Sequence, residues 1–154
     1  GKGAKDASQA AMDVIAREIN SPVDVIIEEV NKTLFIYRGA VLTVFKINFK
    51  TKHISYCSVG NIQFIITQPN GQQIKPIPRL GFLSGRPIKV QKEVYPYPRD
   101  AMFIIYSDGF KFDNEYKIKF RSYEQIKALV GLLYKSQVEN DDDMTILIGK
   151  PKEL

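Results

Sequence analysis

Two short stretches of this chain place carboxylates where they could do chemistry. Asp108 closes the run Phe103-Ile104-Ile105-Tyr106-Ser107-Asp108-Gly109, in which strand-forming apolar residues stop at a small polar residue, a carboxylate and a glycine. Asp142 and Asp143 open Asp142-Asp143-Met144-Thr145, which leads into a second apolar run, Ile146-Leu147-Ile148. Two carboxylates brought within about 5 Å at an effective dielectric near 20 repel by about 3 kcal/mol, and a divalent cation between them reverses the sign. Magnesium and manganese take hard oxygen ligands and need neither histidine nor cysteine, of which this chain has one each. The spacing therefore admits a divalent-metal site. It also admits a plain strand-end turn at Asp108-Gly109 and a solvated loop with an N-cap or Asx turn at Asp141 to Asp143.

The other reactive side chains point away from catalysis. Cys57 sits in the alternating run Ile54-Ser55-Tyr56-Cys57-Ser58-Val59 and reads as a buried, inert thiol, with no second cysteine for a disulfide. His53 lies beside the charged turn Lys50-Thr51-Lys52 and reads as a surface residue. Arg79 and Arg86 fall in a stretch rich in proline and glycine, where a loop on a rigid scaffold could contact a phosphorylated partner, or where both arginines are simply solvated. The opening Gly1-Lys2-Gly3 could bring a loop backbone close to a ligand, or be a flexible end; it is not a phosphate-binding P-loop, since the spaced Gly-Lys-Ser/Thr signature is missing.

Elements that could hold these residues follow from periodicity. Ala11, Val14, Ile15 and Ile19 predict a helix to about Asn20, and Ser21-Pro22 starts a second helix through Val25, Ile26, Glu29 and Val30 to about Thr33. Alternating strands are expected over Val41 to Phe49 and His53 to Val59. A Gly60-Asn61 turn then leads into Ile62 to Thr67, and Pro69-Asn70-Gly71 into Gln72 to Ile77, making an antiparallel meander. Proline-rich irregular chain follows around a short edge strand, Lys89 to Tyr95. After the Asp108 strand, Ser122 caps a helix over Tyr123 to Lys135, and the last strand reaches Ile148. The order predicts an α+β domain with antiparallel sheets inside and helices outside.

Composition narrows the classes. With 154 residues, 44% hydrophobic and 25% charged, the chain fits one globular domain. No apolar run is long enough for a membrane-spanning helix and no signal-peptide pattern opens the chain, so no membrane partner and a cytoplasmic location are expected. The net charge of +5 is spread over turns and strand faces rather than clustered, which argues against nucleic acid.

Tyr106-Ser107-Asp108-Gly109 after one apolar strand, and Asp142-Asp143-Met144-Thr145 before the last, resemble two motifs of the metal-dependent serine/threonine phosphatases of the protein phosphatase 2C superfamily, in its bacterial SpoIIE-type branch. Gly1-Lys2-Gly3-Ala4 resembles the tail of that branch's first motif. Arg38-Gly39-Ala40, Lys46-Ile47-Asn48-Phe49, Tyr56-Cys57-Ser58-Val59-Gly60-Asn61 and Leu83-Ser84-Gly85 extend the likeness over nearly the whole chain, toward the members that act on the stressosome.

The resemblance implies an α-β-β-α sandwich. It implies a single phosphatase domain over 1–154, N-terminally incomplete because the chain starts inside the first motif and lacks the strands before it. Two Mn²⁺ or Mg²⁺ ions and a water nucleophile are implied for the complete protein, with no protein nucleophile. Asp108 and Asp142 would ligate one metal, Asp143 would support the site from outside the ligand set, Gly109 would give the strand end its turn, and Thr145 would orient the loop. Gly1 and Gly3 would lie in a loop near the site. The expected activity is dephosphorylation of phosphoserine or phosphothreonine on stressosome proteins, as negative feedback on the sigma-B general stress response. Residues 1–154 alone are expected to show little or no turnover. The alternative is a non-catalytic protein-binding scaffold of the same fold.

Overall fold

The computed structural model describes residues 2–97, 99–110, 126–128, 130–131 and 144–150. The chain divides into two compact units: Gly1–Ile62 with Ile77–Tyr97, and Gln63–Pro76 with Pro98–Leu154.

In the first unit, α1 (Lys2–Arg17) buries Ala7, Ala11 and Val14 along one stripe, small residues that let a second helix approach. The second helix, α2 (Val23–Thr33), starts after Pro22, whose fixed φ and missing N–H suit that position, and its first intrahelical bond runs from the Ile26 amide to the Pro22 carbonyl, 3.0 Å. Its face Val23, Ile26, Ile27 and Val30 is wholly buried, which contributes about 1.5–3 kcal/mol per side chain relative to exposure. The Lys46 ammonium donates to the carbonyls of Ile19 (2.7 Å) and Ser21, closing the connection between the helices. Ile19, expected on the apolar stripe, is 56% exposed because α1 stops at Arg17.

That helix pair packs on a three-stranded antiparallel sheet of order β1-β2-β5: β1 (Leu42–Asn48), β2 (His53–Val59) and the edge strand β5 (Glu93–Pro96). Leu42 and Val44 from β1 and Cys57 and Val59 from β2 meet the helices in one core. The pairing puts Thr43 opposite Ser58, and their hydroxyls share a hydrogen bond of 2.7 Å.

The second unit holds a four-stranded antiparallel sheet of order β4-β3-β6-β7: β3 (Gln63–Thr67), β4 (Gln73–Ile74), β6 (Met102–Tyr106) and β7 (Ile146–Gly149). Phe64, Ile65 and Ile66 of β3 are all buried, so the strand is covered on both faces. Residues 126–128 and 130–131 are helical, within the span expected from Tyr123 to Lys135. Ile126 packs on the cluster of Ile65, Met102 and Ile104.

The expected continuous meander is corrected here. The β3–β4 hairpin forms, shortened to a two-residue β4 before Pro76 and Pro78, which cannot donate to a ladder. β2 and β3 do not pair; they lie in different sheets. The end of β2 is taken by Arg79, whose amide donates to the Ser58 carbonyl (3.1 Å) and whose carbonyl accepts from the Gly60 amide (2.8 Å). Gly60 turns the chain away at φ +129°, where an added Cβ would lie 2.4 Å from the Val41 Cβ.

Candidate metal centre

The register of β6 against β7 fixes the candidate site. Tyr106 faces Ile146, and Ile105 faces Leu147. One step further, Ser107 meets Thr145: the Ser107 amide donates to the Thr145 carbonyl at 3.0 Å, and the Thr145 amide donates to the Ser107 hydroxyl oxygen at 3.0 Å. The serine side chain replaces the backbone carbonyl as acceptor at the last rung, so the chain can turn while the ladder stays closed.

The turn follows at once. The Phe110 amide donates to the Ser107 carbonyl (3.0 Å), making Asp108 and Gly109 the central residues of a four-residue turn. Asp108 is exposed, Gly109 is buried, and Phe110 packs edge-on against Tyr106 with ring centroids 5.6 Å apart. Burial pushes the Tyr106 phenol above its ordinary value. An aromatic floor thus anchors a turn that presents one carboxylate to solvent. Among the described residues no three His, Cys, Asp or Glu side chains cluster as a metal site. An exposed carboxylate at a strand end is the kind of oxygen donor a hard divalent cation takes, and Asp108 is one by residue type and position.

Of the expected site residues, Asp108, Gly109 and Thr145 are brought together at this strand end. Asp142, Asp143 and Gly1 lie outside the described residues. Gly3 is not in a loop: α1 begins at Lys2 and Gly3 occupies its first turn, where an added Cβ would meet nothing within 4 Å.

Arg79 and Arg86 belong to the first unit and are exposed. The Arg79 guanidinium donates to the Lys89 carbonyl (2.6 Å), bracing its own loop. The Arg86 carbonyl accepts from Asn31 Nδ2 at 2.8 Å, while Asn31 Oδ1 accepts from the amides of Ser84 (3.0 Å) and Gly85 (3.1 Å). Asn31 is only 6% exposed, and all three bonds go to one loop. It and Ser107 are the residues that the spacing argument passed over. The trace of Asn31 in the sequence is an amide directly after the apolar position Val30, inside a buried helical stripe. That of Ser107 is a hydroxyl at the strand end, where an N–H needs an acceptor.

Cys57 is buried, as expected, and burial pushes its thiol up to about 11; His53 is exposed, also as expected. Among the described residues, no helix is long and apolar enough to cross a membrane.

Two helices on one antiparallel sheet, and a second antiparallel sheet in which the strand ending before Asp108 pairs with the one that follows Thr145, make up the architecture of the protein phosphatase 2C fold. Three solved structures share it. Crystalline RsbX in complex with magnesium superposes with TM-score 0.86 at 33% identity, covering 97% of this chain and 75% of that one. A chain solved in work on the bacterial stressosome as a modular system adapted to control secondary messenger signalling superposes with TM-score 0.74 at 22% identity, covering 96% and 77%. The catalytic domain of the serine/threonine phosphatase PstP with two manganese ions superposes with TM-score 0.72 at 12% identity, covering 94% and 80%. In sequence, the chain is 31% identical over 150 residues to the phosphoserine phosphatase RsbX of Bacillus subtilis (strain 168), spanning 97% of this chain and 75% of the relative. The chain matches no protein-family model. It belongs to the RsbX family of phosphoserine phosphatases.

Proposed function

We propose that this protein removes phosphate from phosphoserine or phosphothreonine on stressosome proteins in the cytoplasm, in negative feedback on general stress signalling, using two Mn²⁺ or Mg²⁺ ions, with residues 1–154 belonging to a single phosphatase domain. The observation that carries the reading is the closed rung between Ser107 and Thr145. It puts the end of the Asp108 strand beside the start of the strand that Asp142-Asp143-Met144-Thr145 opens. Asp108 and Asp142 hold one ion, Asp143 supports them from outside the ligand set, and Gly109 and Thr145 shape the backbone. Such ions, when bound, supply a water of lowered pKa and offset charge on the phosphoryl oxygens. The exposed Arg79 and Arg86 contact the phosphoprotein.

The test is hydrolysis of a serine-phosphorylated stressosome protein by the complete protein with Mn²⁺, beside Asp108→Asn. Turnover by the wild type and its loss in the variant support the reading. Equal rates would remove Asp108 from the metal site.

A further inference from the structure

The first unit carries a surface that its own fold does not account for. Phe35 and Ile36, in the short helical turn after α2, are 74% and 80% exposed, and Leu80 and Phe82 are 84% and 61% exposed. Folded domains seldom leave such side chains together in water unless something covers them. These residues lie on two neighbouring stretches of chain. Ala40 and Leu83 exchange backbone hydrogen bonds of 3.0 and 2.8 Å, the Phe82 ring lies against Gly39, and Gly85 backs onto Phe35 so closely that a Cβ would come 2.4 Å from the Phe35 Cα. The Asn31 clamp fixes Ser84 to Arg86 from behind. The apolar groups therefore stand on a rigid support, and little conformational entropy is lost when a partner binds them.

Charge gives the partner its chemistry. Between Glu29 and Glu93 the chain has no Asp or Glu, while Arg38, next to Gly39, and Arg86, next to Gly85, are exposed on these same stretches. Neither is in an ion pair among the described residues. Aromatic anchors with unpaired arginines at the rim are the anatomy of a protein-binding hot spot. Between the two stretches lies a hollow of about 440 Å³ lined by Ala4, Arg38, Gly39, Ala40, Val41 and Phe82.

We infer that the face formed by Phe35, Ile36, Leu80 and Phe82 with Arg38 docks an acidic protein surface whose apolar side chains enter the hollow and whose carboxylates meet the arginines. This rests on the phosphatase reading above and adds a docking site for the phosphoprotein. The face then sets KM for a protein substrate and leaves the chemistry on a small phosphate ester untouched.

The test uses the complete protein with Mn²⁺ and two substrates, a serine-phosphorylated stressosome protein and p-nitrophenyl phosphate. The double variant Leu80→Ser/Phe82→Ser is expected to raise KM for the phosphoprotein by at least about ten-fold, with kcat and the small-ester kcat/KM unchanged. Arg38→Glu is expected to raise the same KM and flatten its rise with salt, and Arg38→Lys to keep most of both. An unchanged phosphoprotein KM overturns the inference, and so does an equal loss on both substrates. It is also overturned if the double variant converts a dimer to a monomer in sedimentation, which makes the occupant a second copy, or abolishes binding to phosphatidylserine vesicles, which makes it a membrane. If the wild type hydrolyses neither substrate, the phosphatase reading fails instead. Calorimetric titration of the phosphoprotein into wild type and double variant then decides the docking face alone, with weaker binding by the variant supporting it and equal binding overturning it.

Discussion

Ser107 and Thr145 are joined by two hydrogen bonds of 3.0 Å, one of which uses the serine hydroxyl as the acceptor that a strand carbonyl would otherwise supply. Ser107→Ala removes that acceptor and leaves the apolar ladder below intact. Thr145 is exposed, so water can take up its amide, and the expected loss of stability is only about 0.5–1.5 kcal/mol. The larger effect is expected on the metal, because groups that orient ligands typically change affinity by about 10–100-fold. Mn²⁺ titration of the complete protein checks this: Kd should rise about ten-fold while the unfolding midpoint in urea moves little. An unchanged Kd would show that the rung holds the sheet and not the metal.

Asp108→Asn keeps size and turn chemistry and removes the charge. With Asp108 in the ligand role proposed above, the substitution is expected to weaken Mn²⁺ binding by more than about 100-fold, beyond the effect of an orienting group. Stability should fall by no more than about 1 kcal/mol, since the side chain is exposed. Calorimetry with Mn²⁺ and a thermal melt without it separate the two effects. A variant that unfolds but still binds Mn²⁺ tightly would give Asp108 a structural role.

What could be read from the sequence was mostly local. The strands ending at Tyr106 and starting at Ile146 announce themselves as apolar runs bounded by carboxylates, and their register follows from packing Ile104 and Ile148 on one face. Helix α2 is announced by Pro22 and its apolar stripe, and it ends at Thr33 as expected. The crossover after Val59 was not legible, because Gly60-Asn61 has the local chemistry of a hairpin turn. Only the bonds from Arg79, about twenty residues away, show that this end of β2 is occupied. Asn31 was hidden for the same reason: its three partners lie far along the chain. Gly3 misled because a glycine is tolerated in the first turn of a helix as well as in a loop.

Cys57 offers a pH prediction. Its thiol is pushed up from about 9 to about 11, first by burial and then by the nearby Asp24 charge. A raised value means that the native state holds the proton more tightly than the unfolded chain. The contribution is therefore complete below pH 9, and it is lost as pH rises through about 11. Across that window wild-type stability should fall more steeply than that of Cys57→Ala, by up to about 1.4 kcal/mol per pH unit. Urea melts at several pH values measure the difference, and parallel slopes would contradict it. The same burial predicts that native Cys57 stays unreactive toward a thiol reagent at pH 8 and reacts fully once unfolded.

The Asn31 clamp and Gly85 make one latch, and a double-mutant cycle can show it. Asn31→Ala deletes three hydrogen bonds at a buried position and should lower stability by about 2–4 kcal/mol. Gly85→Ala places a Cβ 2.4 Å from the Phe35 Cα at φ +79°, a contact with backbone that no rotamer relieves, and should lower stability by more than about 2 kcal/mol. Each substitution is harmful because the loop is held against the end of α2. Once Asn31 is gone, the loop can lift away and Gly85→Ala does less damage. The double variant is therefore expected to fall short of the sum of the single effects by about 1 kcal/mol. Denaturant melts of the four proteins measure the coupling directly. Strict additivity would mean that Asn31 and Gly85 act on separate structures, and that the loop is held close to Phe35 by something other than the asparagine.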